Sequence, residues 1–389
     1  MRRVFIAGAG ATPIGEHWER SLRDLMAEAA LRAIQDSGLD KKSIEAVYIG
    51  NMSSGSLQGQ EHLGALLATW IGIPGVAAAK VEAACASGGA AFHQAFLAVA
   101  SGLYDRVLVV GVEKMTDAVT ADVTSALIMA DDQEYVAFTG ASFVGLNALV
   151  YRAYMSEFGA KQEDIALFAV HDHKYAVNNE LAQFRREITL DDVLKSPLVA
   201  DPIRLLECAP IGDGAAALVL CSEEAVKSSR RNDTLVEVAA STVATDVLSL
   251  HDRETLTTLR ATVKAAERAY RMAKIEPEDV DVLEVHDAFT ILGVIHVEDL
   301  GFAKKGEGWR LLKEGELEIG GKIPTNTLGG LKARGHPVGA TGVYQIYDVV
   351  KQLWGEAGAN QVEGAEIGLA QNVGGVGGTV VVTILRRVR

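Results

Sequence analysis

The residues best suited to covalent chemistry are one cysteine and two histidines, far apart in the chain and each set among small residues. Cys85 stands in Val81-Glu82-Ala83-Ala84-Cys85-Ala86-Ser87-Gly88-Gly89-Ala90-Ala91-Phe92-His93. A strand-like lead, a run of small residues and an amphipathic stretch from Ala91 to Val99 predict a thiol near a helix N-terminus. Unpaired N–H groups and the helix dipole there favour thiolate over thiol, and small neighbours leave room for a carbonyl to approach the backbone. The same residues can also be read as a buried structural cysteine. Cys208, two residues before Pro210, and Cys221, closing an apolar strand, lack this setting and are expected to be structural.

His336 lies in the glycine-dense run Asn326-Thr327-Leu328-Gly329-Gly330-Leu331-Lys332-Ala333-Arg334-Gly335-His336-Pro337-Val338-Gly339-Ala340-Thr341-Gly342. So many positions of special backbone freedom, followed by the helix-like stretch Val343 to Leu353, predict a tight loop presenting an imidazole at a helix start. His286 ends a strand in Val285-His286-Asp287-Ala288-Phe289-Thr290, and strand ends in α/β sheets are where active sites collect. By itself it reads equally as a satisfied core histidine. The run Gln371-Asn372-Val373-Gly374-Gly375-Val376-Gly377-Gly378 is predicted to be a loop between two strands, offering backbone N–H groups to a developing oxyanion. Neither it nor Gly8-Ala9-Gly10 has the strand-to-helix context, third glycine and acidic partner of a dinucleotide site. His171-Asp172-His173 has metal-like composition but no distant partner, so a solvated helix face and no metal site are expected.

The elements that must position these groups come in two copies. Ala29-Ala30-Leu31-Arg32-Ala33 matches Ala265-Ala266-Glu267-Arg268-Ala269 at an offset of 236 residues, and the same offset carries Leu39 onto Ile275, Ile44 onto Val280, Val47 onto Leu283 and Ile49 onto Val285. Each copy reads helix, turn, strand, the texture of α/β layers. Strand-like runs at Val107–Val112 and Ala216–Leu220 belong to the first copy, and those at Ile367–Ala370 and Thr379–Leu385 to the second. Polar and aromatic helices (Ala148–Phe158, Gln162–Asn179) occupy an insertion over about 115–200. The expected division is residues 1–230 and 231–389.

The chain has 389 residues with 49% hydrophobic and 23% charged, a composition of folded α/β proteins. Its formal charge of −14 without clustered basic residues disfavours nucleic acid and anionic membranes. Three distant cysteines exclude a disulfide framework and point to a reducing cytoplasm. The opening Met1–Gly8 reads as a buried strand rather than a signal peptide, and no apolar run reaches membrane-helix length.

Cys85 in Ala-Cys-Ala-Ser-Gly-Gly, His286 in His-Asp-Ala-Phe, His336 in Gly-His-Pro-Val-Gly-Ala-Thr-Gly, the closing Asn-Val-Gly-Gly and Asp213-Gly214-Ala215-Ala216-Ala217 together resemble the thiolase superfamily over essentially the whole chain. The resemblance is strongest to archaeal acetyl-CoA acetyltransferases allied to the sterol-carrier-protein type. It implies a duplicated five-layer α-β-α-β-α fold and a cytoplasmic enzyme that needs no cofactor beyond its coenzyme A thioester substrates. Cys85 would take an acetyl group from acetyl-CoA, and a second acetyl-CoA would attack in a Claisen condensation, giving acetoacetyl-CoA and CoA for isoprenoid synthesis. His336 would activate Cys85, His286 would help to hold the enolate oxygen, and the N–H groups of Cys85 and Gly374 would hold the acyl oxygen. Relatives carry a second cysteine where this chain has Ala288 or Asn372, so His286 becomes the candidate for removing the methyl proton. The Cys-His-His set also resembles decarboxylating ketosynthases, and an acyl-binding scaffold is the non-enzymatic alternative. No hydroxyl stands in Ala209-Pro210-Ile211-Gly212-Asp213-Gly214 where degradative thiolases approach the pantetheine, and the CoA-binding residues are left open. A homodimer or tetramer is implied, in complex with a 3-hydroxy-3-methylglutaryl-CoA synthase and a small zinc-binding OB-fold protein.

Overall fold

The computed structural model describes residues 1–388. Nine strands form one hydrogen-bonded ladder in the order β3 (Ala77–Val81), β2 (Ala46–Gly50), β4 (Arg106–Glu113), β7 (Gly214–Ser222), β1 (Val4–Ala11), β8 (Leu235–Thr245), β11 (Thr379–Val388), β10 (Ile367–Gly374), β9 (Val282–Glu284). Two further strands, β5 (Leu198–Ala200) and β6 (Ile203–Arg204), make a separate small hairpin. The ladder is two half-sheets that meet where β1 and β8 pair over only Phe5–Glu237 and Ile6–Val236. On each side of that junction the pattern repeats. β2 runs parallel to β4, which is antiparallel to β7, and β9 runs parallel to β10, which is antiparallel to β11. Even the edge strand has a trace of a counterpart, since β2 pairs with β3 and β9 makes an isolated parallel bridge from Leu283 to Thr325.

Most of these strands read as unbroken apolar runs because both faces are covered. Side chains alternate between the two coverings. Val107, Val109, Leu218 and Leu220 pack with Phe92, Val99, Val343 and Tyr344 of the helices Ser87–Ala100 and Thr341–Trp354. Leu108, Val110, Ala217 and Val219 face the opposite way, onto Leu25, Ala29 and Ala33 of the helix Leu22–Ser37. In the second half Leu369, Val380 and Val382 pack with Ala261, Ala265 and Ala269 of the helix Arg260–Ala273. The outcome is helix, half-sheet, paired central helices, half-sheet, helix, the five layers that the resemblance implied, built on the two halves that the repeat indicated.

The repeated alanines are the contact surface that makes this possible. Ala29, Ala30, Ala33 and their counterparts Ala265, Ala266, Ala269 are all buried, and small side chains let helix and strand backbones approach. Against the first of these helices β1 carries Gly8 and Gly10. A Cβ at Gly10 would lie 2.4 Å from the Ala33 nitrogen, so only glycine fits under the helix. The helix itself starts at a capping box, in which Ser21 and Asp24 each accept the other's backbone N–H.

Between β4 and β7 the chain leaves the layers for the helices Thr120–Leu127, Phe143–Phe158, Gln162–Ala176 and Leu190–Lys195. His171, Asp172 and His173 do not form the solvated face expected of them. All three are buried, because the helix Gln162–Ala176 packs against the loop that carries His336. Cys221 is buried within β7, as expected of a structural cysteine.

Candidate active site

Cys85 follows β3 by four residues and precedes the central helix Ser87–Ala100. The turn between them is tight. Ala84 takes φ +52°, a conformation that L side chains rarely adopt, and Ser87 Oγ accepts from the Ala83 N–H and donates to the Ala84 carbonyl. The thiol thus sits at a helix start, as its sequence predicted, but its protonation differs. Cys85 is 2% exposed, and burial pushes its thiol up to about 12 despite favourable backbone interactions with Gly375 and with its own amide. Desolvation outweighs the helix terminus, so the resting group is a thiol that needs a base.

His336 is placed by buried charges that tie its loop to the surrounding elements. Arg334, fully buried, bonds Asp348 and faces Glu284 at 3.7 Å. Asp287 accepts from the Leu331 and Lys332 N–H groups at 2.8 and 3.0 Å and from Asn326 Nδ2, which ties the His-Asp motif to the same loop. On the far side of His336, Glu113 accepts from the Gly339 N–H at 2.9 Å and from Met52, Ser53 and Asn51, locking the loop to the first half. Asp172 lies against this loop from the insertion, and burial beside Asp287 holds its carboxyl well above the usual range. Burial and the Arg334 charge press the His336 imidazole down to about 3, so it rests as a neutral ring.

The hydrogen bonds assign the tautomers of the two histidines. His336 Nδ1 lies 2.6 Å from Thr341 Oγ1, whose hydroxyl reaches the Pro337 carbonyl at 3.2 Å. With that hydroxyl donating onward, Nδ1 carries the hydrogen and Nε2 keeps its lone pair. Asn372 fixes His286 the other way. Its Oδ1 accepts from the Gly89 N–H at 3.1 Å, and its Nδ2 donates to the Cys85 carbonyl at 3.2 Å and to His286 Nδ1 at 3.3 Å. Nδ1 of His286 is therefore an acceptor and its Nε2 carries the hydrogen. The rings meet edge to face, with centroids 5.0 Å apart. Burial and its positively charged or imidazole neighbours hold His286 well below the ordinary histidine value. As a neutral ring with its acceptor nitrogen engaged, it is suited to donate a hydrogen bond. In this tautomer Nε2 carries a hydrogen and offers no lone pair to the methyl proton that the sequence reading assigned to His286.

The glycine run is only partly a loop. β10 continues through Gly374, and the turn is confined to residues 375–378. Gly374 packs directly beneath the cysteine turn, where a Cβ would fall 2.2 Å from the Ala83 carbonyl.

Residues 4–224 match the thiolase N-terminal domain family, and residues 242–387 match the thiolase C-terminal domain-like family. The chain belongs to the thiolase family. This thiolase is 49% identical over 387 residues to the acetyl-CoA acetyltransferase of Methanothermobacter thermautotrophicus, with 100% of each chain covered. It is 34% identical to sterol carrier protein 2 of Gallus gallus, over 99% of this chain and 72% of that protein. Among solved structures it resembles the Ltp2-ChsH2(DUF35) aldolase, with a TM-score of 0.87, 26% identity and coverage of 99% of this chain and 98% of that one.

Cys85 and His336 of this thiolase open onto one cavity of about 340 Å³, walled largely by apolar groups such as Met115, Phe143, Phe289 and Val338. Among the described residues no lysine or arginine lines it. Cys208, expected to be structural, is part of the same wall, because an isolated bridge joins it to Phe289 and the Ala209 N–H bonds the Ala288 carbonyl at 2.8 Å. Sequence reasoning missed that and also missed Asn372 as a connector. The polar pair Gln371-Asn372 inside an otherwise apolar strand was the available signal, since Gln371 Oε1 likewise accepts the His286 N–H at 3.1 Å. Thr341, at the start of the second central helix, gave no signal of its own.

A buried thiol with neutral neighbours predicts a specific reactivity. In the enzyme without substrate, alkylation of Cys85 by iodoacetamide should rise about tenfold per pH unit between about pH 7 and 10 without levelling off. Peptide mass mapping of the alkylated protein measures this. A plateau below pH 8 would show a preformed thiolate instead.

Proposed function

We propose that the protein is an acetyl-CoA C-acetyltransferase that condenses two acetyl-CoA into acetoacetyl-CoA and CoA, reversibly. The observation that carries this is the convergence of Cys85, from the first half of the chain, with His336 on one apolar cavity wall, while His286 is joined through Asn372 to the Cys85 carbonyl. His336 Nε2 takes the thiol proton as the sulfur attacks the thioester carbonyl, which answers the high pKa of Cys85 by coupling deprotonation to attack. The backbone N–H groups of Cys85 and Gly374 hold the acyl oxygen, and the Nε2–H of His286 donates to the enolate oxygen of the second acetyl-CoA. Coenzyme A thioesters are substrates here, and the scheme calls on no metal or further cofactor. The name borne by the relative from Methanothermobacter thermautotrophicus supports the acetyl specificity, and supply of isoprenoid precursors in the cytoplasm is the role we assign.

The assembly is part of this reading. β3 is an edge strand whose Ala77, Ala78 and Ala79 are exposed, which suits antiparallel pairing with a second copy into a dimer or tetramer. A cavity without cationic side chains leaves the phosphates of CoA to be met elsewhere. A small zinc-binding OB-fold partner, shared with a 3-hydroxy-3-methylglutaryl-CoA synthase, would meet that need, and the DUF35 component named with the aldolase supports such a partner.

The test is an assay of the purified chain with acetoacetyl-CoA plus CoA, with acetyl-CoA alone and with malonyl-CoA. Two acetyl-CoA should appear from acetoacetyl-CoA plus CoA, with no dependence on malonyl-CoA. A product formed only with malonyl-CoA would replace this reading by a decarboxylating ketosynthase.

A further inference from the structure

The condensation needs a group that removes a methyl proton from the second acetyl-CoA. Three titratable side chains line the cavity: Cys85, His336 and Cys208. In the proposed scheme Cys85 is acylated at that moment, His336 holds the Cys85 proton, and His286 presents an N–H. The geometry points to Cys208 as the catalytic acid–base residue of the condensation, an inference that rests on the function proposed above.

Two independent features support it. Cys208 is held in the wall of the cavity by the bridge to Phe289 and the bond from Ala209 to Ala288, and its thiol donates to the Arg204 carbonyl at 3.5 Å. Lys332, 2% exposed, is within electrostatic reach of it. The Lys332 ammonium has neither a hydrogen bond nor an ion pair among the described residues, and it lies 5.7 Å from the centroid of the Phe184 ring. Of the groups that favour its charge, Cys208 comes first, ahead of Asp172 and Asp287. Burial pushes the Cys208 thiol up to about 12 with the Lys332 charge acting against that rise, so Cys208 rests as a thiol and Lys332 favours the thiolate that forms during turnover.

Protons balance across the cycle. When Cys85 attacks the first acetyl-CoA, its proton passes to His336, and the departing CoA thiolate takes the Cys208 proton. The Cys208 thiolate then takes one methyl proton from the second acetyl-CoA. The electron pair left on that carbon forms the new C–C bond to the acetyl carbonyl on Cys85, and the C–S bond breaks. The released Cys85 thiolate recovers its proton from His336, and acetoacetyl-CoA leaves.

The half-reactions separate this from a packing role. With Cys208→Ala and Cys208→Ser, acetylation of Cys85 by acetyl-CoA should fall by about tenfold at most, much less than condensation, because the CoA thiolate can depart unprotonated and take its proton from water. Condensation by the acetylated enzyme should fall about 10²- to 10⁴-fold, and deuterium exchange into the methyl group of bound acetyl-CoA should fall with it. Lys332→Met should leave acetylation in place and move the rise of condensation with pH to higher pH. Condensation within about threefold of the parent in either cysteine variant, or equal loss of both half-reactions, would overturn the assignment. The serine variant, differing by one atom type, carries the test if the alanine variant does not fold. Failure of the parent itself to become acetylated would count against the proposed function and not against this inference.

Discussion

Cys85→Ser is expected to lower thiolysis of acetoacetyl-CoA by about 10⁴-fold or more, because the acyl-enzyme cannot form and removal of a covalent nucleophile costs on that scale. A hydroxyl in place of the thiol is a far weaker acid, and the neutral His336 cannot compensate. The fold should survive. Cys85 makes no hydrogen bond through its sulfur to another side chain, and the turn is held by Ser87, Ala83 and Ala84 rather than by the thiol. Mass spectrometry after incubation with acetyl-CoA should show an acetyl group on the Cys85 peptide of the parent and on no peptide of the variant. An acetyl group on Cys208 or Cys221 in the parent would move the nucleophile elsewhere.

The second large effect separates the two histidines. His336→Ala should slow both acetylation and condensation, each by about 10²- to 10⁴-fold, since one nitrogen accepts and returns the Cys85 proton. His286→Ala should slow condensation by about 10²- to 10³-fold, the scale of a lost oxyanion donor, and leave acetylation comparatively intact. The deciding variant is His286→Asn, whose side-chain amide can restore an N–H donor but has no basic nitrogen. If the Nε2–H of His286 is what matters, this variant recovers much of the condensation lost in His286→Ala. Were His286 a base, asparagine would do no better than alanine, and the tautomer set by Asn372 would have to be wrong. Rates of each half-reaction, measured by rapid quench, give the comparison.

How far these groups could be found from the chain alone follows from the kind of signal each leaves. The nucleophile and the two histidines stand in local settings that chemistry demands, small residues around Cys85 and special backbone angles around His336, so their types and neighbours announced them. The layered architecture was legible too, because helices and strands buried on both faces write their burial into periodicity, and the alanine-rich helix repeats at an offset of 236 residues. Those are properties of short segments. Protonation is not such a property. The helix start predicted a thiolate at Cys85, but the cost of desolvation depends on what the second half of the chain packs over it, and that packing leaves a thiol.

The same limit explains the other differences. His171-Asp172-His173 looks like a polar helix face until the loop beneath His336 covers it, and then all three are buried, Asp172 beside Asp287, His171 on the Thr325 carbonyl and His173 on the Arg186 carbonyl. Asn372 reads as one more polar residue in a glycine run, yet in the fold it joins Gly89, the Cys85 carbonyl and His286 and so determines which nitrogen carries the proton. Cys208 has no local signature at all; its place in the cavity comes from a bridge to Phe289, 81 residues on in the sequence. By itself, then, the sequence determined the reacting residue types, the duplicated layers and the family, since each is encoded in contiguous stretches. The tertiary structure alone decided charge states, tautomers and the membership of Cys208, because solvent exclusion and hydrogen-bond direction arise only when distant segments come into contact.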